Sequence, residues 1–406
     1  MKKFLIWTQY YVPEIGATAI RLHSVARELV RQGYHVCVVT GMPNYPKGQI
    51  YPAYRGKFYC CEQIDGVRVH RCWFHPAREV GLGRIFSYLY FIVSTFPVFI
   101  LLARKVDLII AEVPPPTVSF GARIALPFSG AKLIVNVSDL WPDWLLSSGL
   151  LKPGMVSRLL KLINSFTFSK ADFVNGVTQG IINDIKQNYG IPEDKLLFLP
   201  NGVDTTLFSY QGPSIRKGGI DEGQKLFVYA GNHGIYNWPI VIAQAAARLQ
   251  RRRNDIKFLL VGDGSQKREV VAFCLEHNLT NIEFKAPVPI EEVASLYGKA
   301  YAAISTYKKG FLSRPAKIFP AMACGLPLVY SGEGEGANIV KNAACGIVVP
   351  PEDPDELARA VERLADDYEM AKNLGNNGFN LVQREYSWSS IVKSWLADLE
   401  AKLISK

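Results

Sequence analysis

The sequence predicts an α/β chain folded as two Rossmann-like, doubly wound domains that face a central cleft. Two observations predict it. Short runs that are apolar at nearly every position alternate with longer helical segments along most of the chain, and strands apolar on both faces belong to parallel sheets covered on both sides. The alternation fades once, after Asp204, and then restarts. A chain of 406 residues is long enough for two cores of ordinary size. The expected domains are residues 1–205 and 206–387, with a last helix over about 388–406 packing back on the first.

Residues 3–8 read as the first strand, followed by the loop Pro13-Glu14-Ile15-Gly16 and a helix that Gly33 stops. Further strands are expected at 36–40, 67–71, 108–112, 133–138, 173–177 and 196–199. Gln211-Gly212-Pro213 and Lys217-Gly218-Gly219 form a linker. Strands at 226–231, 257–262, 282–284 and 302–306 then alternate with helices at 239–252, 266–278 and 290–298. A helix-like run follows Arg314 and Lys317 and breaks at Cys324-Gly325-Leu326-Pro327 into a strand at 328–331. A glycine- and glutamate-rich turn at 332–336 leads into a short helix, and helices at 353–368, 371–384 and 388–403 close the chain.

The formal net charge of +10 points to anionic company, such as nucleotides, phosphorylated lipid, an anionic membrane surface or nucleic acid. Beyond charge, nothing supports nucleic acid, and none is expected as a partner. Seven cysteines without a Cys-x-x-Cys pair fit the reduced thiols of a cytosolic protein. The apolar run at the N-terminus is too short for a signal peptide. Gly-x-Gly-x-x-Gly, Walker and Gly-x-Ser-x-Gly patterns are missing, and six scattered histidines show no metal-binding spacing. A run of 19 uncharged residues begins at Ile85 and ends at Ala103, flanked by Arg84 and by Arg104 and Lys105. Pro97 and the embedded hydroxyls favour a surface that dips into a bilayer, with a buried core helix and a true span as alternatives.

Ligands of doubly wound sheets bind beyond the carboxyl ends of the strands, and four loops there carry chemistry. Glu14 and Gly16 stand at the entry of the first helix, where backbone amides face a phosphate or sugar; the alternative is an ordinary turn. In the loop from Gly41 to Gly48, Asn44 and Tyr45 suit hydrogen bonding and stacking on a sugar, or simply shape the loop. Asp139 suits a proton acceptor for an attacking hydroxyl or a helix N-cap, and Trp141 a stacking platform. Gly231, Asn232, His233 and Gly234 suit a diphosphate, although a loop histidine is often only solvated. Arg314 and Lys317, ahead of a helix and a glycine turn, make a phosphate cradle.

With these residues in place, the sequence resembles glycosyltransferase family 4, a retaining family of the GT-B fold, and within it the branch of O-antigen and colanic acid assembly. The resemblance spans essentially the whole chain. Its marks are the loops just named, Pro200-Asn201-Gly202-Val203-Asp204 between the domains, and the segment from Pro315 to Pro327. It implies a nucleotide sugar held by the C-terminal domain, often a UDP-linked amino sugar. It implies an acceptor held by the N-terminal domain, a polyprenyl-diphosphate-linked saccharide on the cytoplasmic leaflet. No metal or other cofactor is implied; Arg314 and Lys317 match the cations that neutralise the departing diphosphate. The glycines frame the phosphates, Asp139 lies near the acceptor hydroxyl, and Glu14, Asn44, Tyr45 and Trp141 serve the acceptor.

One departure stands out. The two glutamates the family usually carries here are replaced by Leu312 and Pro320, and the second typically holds the ribose hydroxyls. Losing one charge-assisted contact of that kind costs about 1.5–3 kcal/mol. The usual arginine and lysine after the first C-domain strand are Asn232 and Asn237. Glu333 or Glu335 is the expected replacement carboxylate. The same departure admits a second reading, a catalytically silent partner subunit of another transferase.

Overall fold

The computed structural model describes residues 2–14, 16–45, 47–77, 82–147, 151–213, 223–310 and 316–405. Leu312, Arg314, Ile15 and the linker residues 217–219 lie outside them. The chain divides into two compact units, Met1–Asn201 with Ile391–Lys406, and Gly202–Ser390.

The first unit runs β1 (Lys3–Trp7), α1 (Ala17–Arg31), β2 (His35–Gly41), β3 (Tyr59–Ile64), β4 (Val67–Cys72), α2 (Leu82–Ala103) and β5 (Leu108–Val113). It continues through α3 (Pro116–Ala125), β6 (Lys132–Val137), α4 (Asp143–Ser147), α5 (Met155–Lys170), β7 (Phe173–Gly176), α6 (Gln179–Tyr189) and β8 (Leu196–Phe198). These strands form one sheet in the order β3-β4-β2-β1-β5-β6-β7-β8, parallel except for β3. The order reverses direction at β1, whose neighbours are β2 and β5, which is where such sheets open a crevice.

The apolar runs do not reveal β3. It is an edge strand whose residues alternate between exposed and half-buried, so it has no continuous apolar stretch. Its signal is the Asp65-Gly66 pair, both with positive φ (49° and 81°), which turns β3 into the antiparallel β4.

Helix α2 carries the long uncharged run and packs by one stripe. Ser87, Phe91, Thr95, Phe99 and Ala103 recur every four residues and are buried, one stripe of a helix. Trp7 stacks on Phe99 with ring centroids 4.0 Å apart and donates Nε1–H to Thr95 Oγ1 at 3.1 Å. The opposite face is open, with Val93 73% and Leu101 61% exposed. A wholly buried core helix is therefore excluded, and the packed stripe makes α2 part of the domain.

The second unit runs β9 (Lys225–Ala230), α7 (Ile240–Leu249), β10 (Ile256–Val261), α8 (Lys267–Glu276), β11 (Ile282–Lys285), α9 (Ile290–Tyr297) and β12 (Ala302–Thr306). Then come α10 (Ile318–Ala323), β13 (Leu328–Ser331), α11 (Gly334–Asn342), β14 (Gly346–Val349), α12 (Pro354–Asp366) and α13 (Tyr368–Leu381). All six strands are parallel, in the order β11-β10-β9-β12-β13-β14, and the switch point falls at β9. The last helix, α14 (Trp388–Ile404), begins in this unit, and from Ile391 onward its residues belong to the first. There Trp395 packs against Phe4 with centroids 6.3 Å apart and donates Nε1–H to Asn175 Oδ1 at 3.1 Å.

Candidate functional site

At the switch point of the second unit, two glycine turns interlock. Ala230 ends β9 and is followed by Gly231, Asn232, His233 and Gly234; Val261 ends β10 and is followed by Gly262, Asp263 and Gly264. The Gly231 amide donates to Val261 O at 3.0 Å and the His233 amide to Asp263 O at 2.8 Å. Two of the amides expected at a phosphate are thus taken. Those of Asn232 and Gly234 have no partner among the described residues. A Cβ on Gly262, whose φ is +140°, would lie 2.0 Å from the Gly231 carbonyl oxygen. Gly262→Ala should therefore cost about 3 kcal/mol or more in a urea unfolding measurement, because a backbone oxygen cannot rotate aside.

His233 is not solvated. It is fully buried beside Tyr229, and neither ring nitrogen has a partner among the described residues. Burial pushes its pKa down to about 4, so it is a neutral wedge between the turns.

Lys317 reaches this switch point from the start of α10. Its Nζ donates to Tyr229 Oη at 3.1 Å and to Asn237 Oδ1 at 2.8 Å. The Tyr229 and Tyr307 rings lie 4.5 Å from it. Gly231 lies beside it, and a Cβ there would meet the lysine's Cδ at an ordinary contact of 3.5 Å. Among the described residues no carboxylate pairs with this cation, and burial lowers its pKa to about 7. A half-buried ammonium that no described carboxylate pairs with, at a sheet's switch point, suits an anion. Its expected companion, Arg314, lies outside the described residues.

Next to Lys317 a cavity of about 390 Å³ opens, a size suited to a small ligand. Gly231, Asn232 and Asp263 edge one side, and Pro287, Val288, Ile290, Val293, Tyr297 and Pro320 supply an apolar wall. Asp263 is the one carboxylate among its described lining residues. Glu333 accepts from the Gly310 amide at 2.6 Å, and Glu335 sits in the first turn of α11. Neither lines the cavity.

In the first unit, Glu14 joins the loops beyond β1 and β2 from the inside. Its Oε1 accepts from the Asn44 and Tyr45 amides at 2.7 and 2.9 Å and from Asn44 Nδ2 at 3.2 Å, and its Oε2 accepts from the Tyr11 amide at 3.1 Å. Burial raises its pKa against the pull of these amides. Asn44 is also buried and donates to the Met42 carbonyl at 3.1 Å. The residues expected to hold an acceptor thus hold each other. What they present is the Tyr45 ring, 40% exposed, beside Gly16.

Near the carboxyl ends of β5, β6 and β7 a buried polar row crosses the sheet. Glu112, Asn136 and Asn175 are register partners on adjacent strands. Asn136 donates to Glu112, Asn175 donates to Asn136, and Trp395 closes the row on Asn175. Arg21 of α1 pairs with Glu112 at 2.7 Å and also donates to Ser138, which donates to Glu112. Burial pushes the Glu112 carboxyl up to about 7, opposed by Arg21 and Asn136 and reinforced by the negative charge of Asp139.

Asp139, next to Ser138, is exposed. It is no N-cap, since α4 starts only at Asp143. Trp141 is half-buried, 6.4 Å from the Tyr88 ring, and its carbonyl accepts from Asn164 Nδ2. Among the described residues no three His, Cys, Asp or Glu side chains gather as a metal-binding set.

Two family models match the chain in tandem: a glycosyl transferase 4-like domain over residues 16–202 and glycosyl transferases group 1 over residues 212–381. A similar protein is the putative colanic acid biosynthesis glycosyl transferase WcaI of Escherichia coli (strain K12). It is 25% identical over 345 residues, covering 82% of this chain and 83% of WcaI. The probable glycosyltransferase WbjE of Pseudomonas aeruginosa is 24% identical over 316 residues, 76% of each chain. Among solved structures, Anabaena Alr3699/HepE in complex with UDP superimposes with a TM-score of 0.70 at 16% identity, over 99% of this chain and 100% of that one. Sucrose-phosphate synthase from Thermosynechococcus elongatus gives 0.70 at 17% identity over the whole of both chains. At such identities these two likenesses speak to the fold, which they share.

Proposed function

Because the chain belongs to the group 1 glycosyltransferases and carries their 4-like N-terminal domain, we propose that it is a retaining transferase of surface polysaccharide synthesis. It moves a sugar, an amino sugar, from a UDP-linked donor to a polyprenyl-diphosphate-linked glycan precursor. The observation that carries this reading is Lys317, a half-buried cation that no described carboxylate pairs with, beside a nucleoside-sized cavity. The names of WcaI and the UDP bound by HepE support it.

As the bond from the sugar's anomeric carbon to the diphosphate breaks, its electron pair moves onto the leaving oxygen. Lys317, with Arg314 beside it in sequence, offsets that charge, and the Asn232 amide, without a partner among the described residues, adds to it. The second unit holds the donor and the first the acceptor, with Asp139 beside the acceptor hydroxyl and Tyr45 and Trp141 against its sugar. No metal takes part, so turnover persists in excess chelator. The test is purified protein with membrane extract and a panel of nucleotide sugars. Transfer into the lipid fraction is expected. No transfer from any donor, together with unchanged nucleotide binding in Lys317→Ala, refutes the reading.

The lipid-linked acceptor places the first unit at a membrane surface. Besides the open face of α2, helix α5 exposes Met155 (87%), Leu159 (58%) and Leu162 (66%), and both helices pack against α3. Arg104, Lys105, Arg158 and Lys170 add exposed cations for anionic headgroups. Val93→Asp with Leu162→Asp should weaken co-sedimentation with anionic vesicles about tenfold or more, since each buried apolar chain is worth about 1.5–3 kcal/mol. Both positions are exposed, so the thermal midpoint should stay within a degree or two of the parent's, at about 0.5 kcal/mol or less.

A further inference from the structure

We infer that the donor site does not distinguish ribose from 2′-deoxyribose, so that thymidine diphosphate sugars fall within its donor class alongside uridine ones. The inference rests on the reading of this cavity as a nucleoside diphosphate site.

A nucleoside diphosphate is a short linear ligand whose ribose lies between the phosphates and the base. With the phosphates at Lys317 and the Asn232 amide, the ribose comes next along the cavity wall. Pro320 stands three residues after Lys317 at the start of α10 and lines the same cavity, and side chains three apart lie on one helix face about 5–6 Å from each other. The ribose therefore meets a proline ring. Pro320 has no side-chain acceptor, and its carbonyl accepts from the Cys324 amide at 3.1 Å. The wall continues as Val293, Ile290, Val288 and Pro287, with the Tyr297 phenol the one hydroxyl among the described lining residues. The one lining carboxylate, Asp263, lies in the β10 turn and accepts from the Gly264 amide at 2.8 Å.

Discrimination between a sugar and its deoxy analogue comes from site groups left unpaired when the hydroxyl is missing. Where Pro320 and its apolar neighbours, among the described residues, give the 2′-hydroxyl no partner, nothing is lost when the hydroxyl goes. An apolar wall is also a weak filter against an added hydroxyl, so uridine donors remain acceptable.

The test is calorimetry of the full-length protein with UDP, dUDP and dTDP, for the parent, Pro320→Glu and Asp263→Asn. In the parent, UDP and dUDP should bind within fivefold of each other, and dTDP should bind as well. Pro320→Glu should make UDP at least tenfold tighter than dUDP; glutamate suits the first turn of a helix, and circular dichroism checks that the variant is folded. The inference is overturned if the parent prefers UDP by more than fivefold, above all if Asp263→Asn then removes the preference. It is equally overturned if folded Pro320→Glu leaves the ratio unchanged. If none of the three nucleotides binds the parent at millimolar concentration, the nucleotide-site reading itself falls, and this inference with it.

Discussion

Lys317→Ala should reduce sugar transfer about 100-fold or more, the usual loss when one group that stabilises a developing anion is removed, and weaken UDP binding at least about tenfold. The same change should leave the thermal midpoint unchanged or raise it. Among the described residues Lys317 has no carboxylate partner, and two hydrogen bonds and two aromatic rings offset its desolvation cost. A lysine kept only for structure would show the opposite pattern, with stability falling and binding intact.

The pH dependence separates these readings further. Burial holds the free Lys317 at about 7, well below its ordinary value of 10.5. A diphosphate selects the charged form, so UDP affinity should fall about tenfold per pH unit above 7 until the pKa of the complex is reached. At pH 8, titrations in buffers of different ionisation enthalpy should reveal uptake of about one proton, absent in Lys317→Ala. The stability contribution has a fixed sign. Between about 7 and 10.5 the unfolded chain keeps a proton that the native one has lost, so this group's contribution rises with pH across that window.

Local patterns carried most of the fold. Continuous apolar runs such as those of β1, β5 and β6 belong to strands buried on both faces, and periodicity alone reveals them. Strand β3 escapes because an edge strand keeps one face in water and has no such run. The candidate site was half legible. Lys317 and the Gly231 turn show in the sequence, but that His233 is a buried wedge depends on Gly262 and Gly264 of another strand. Glu14 and Asn44 look like ligand contacts because both are polar and sit in loops. Only the approach of two loops 30 residues apart shows them bonded to each other. The row of Glu112, Asn136 and Asn175 is least legible of all, since its members are 24 and 39 residues apart and meet only through strand register.

That row carries the second large effect. Glu112→Ala should lower the unfolding free energy by about 3–5 kcal/mol, the cost of leaving a buried charge without its partner. Arg21, 4% exposed, would face a void, and the Ser138 hydroxyl and Asn136 amide would lose their acceptor. Replacing both members with apolar residues, Arg21→Met with Glu112→Leu, should recover at least half of the loss, because no charge is then stranded. If Glu112→Ala and the double variant lose the same amount in urea unfolding, the pair is not coupled and the charges are held elsewhere.

The pH series fixes the direction independently. With the native Glu112 at about 7 against an ordinary 4.5, the unfolded chain releases a proton between those values that the native state keeps. Stability from this group is therefore full below 4.5, declines as pH rises through the window and levels off above 7, the reverse of a surface ion pair. Arg21→Met removes the cation that opposes the shift, so its urea midpoint should go on falling from pH 7 to 8 where the parent's contribution has levelled. A parent whose midpoint instead rises steadily from pH 5 to 7, with Arg21→Met parallel to it, would mean that Glu112 is already ionised at pH 5 and that the row is an ordinary salt bridge.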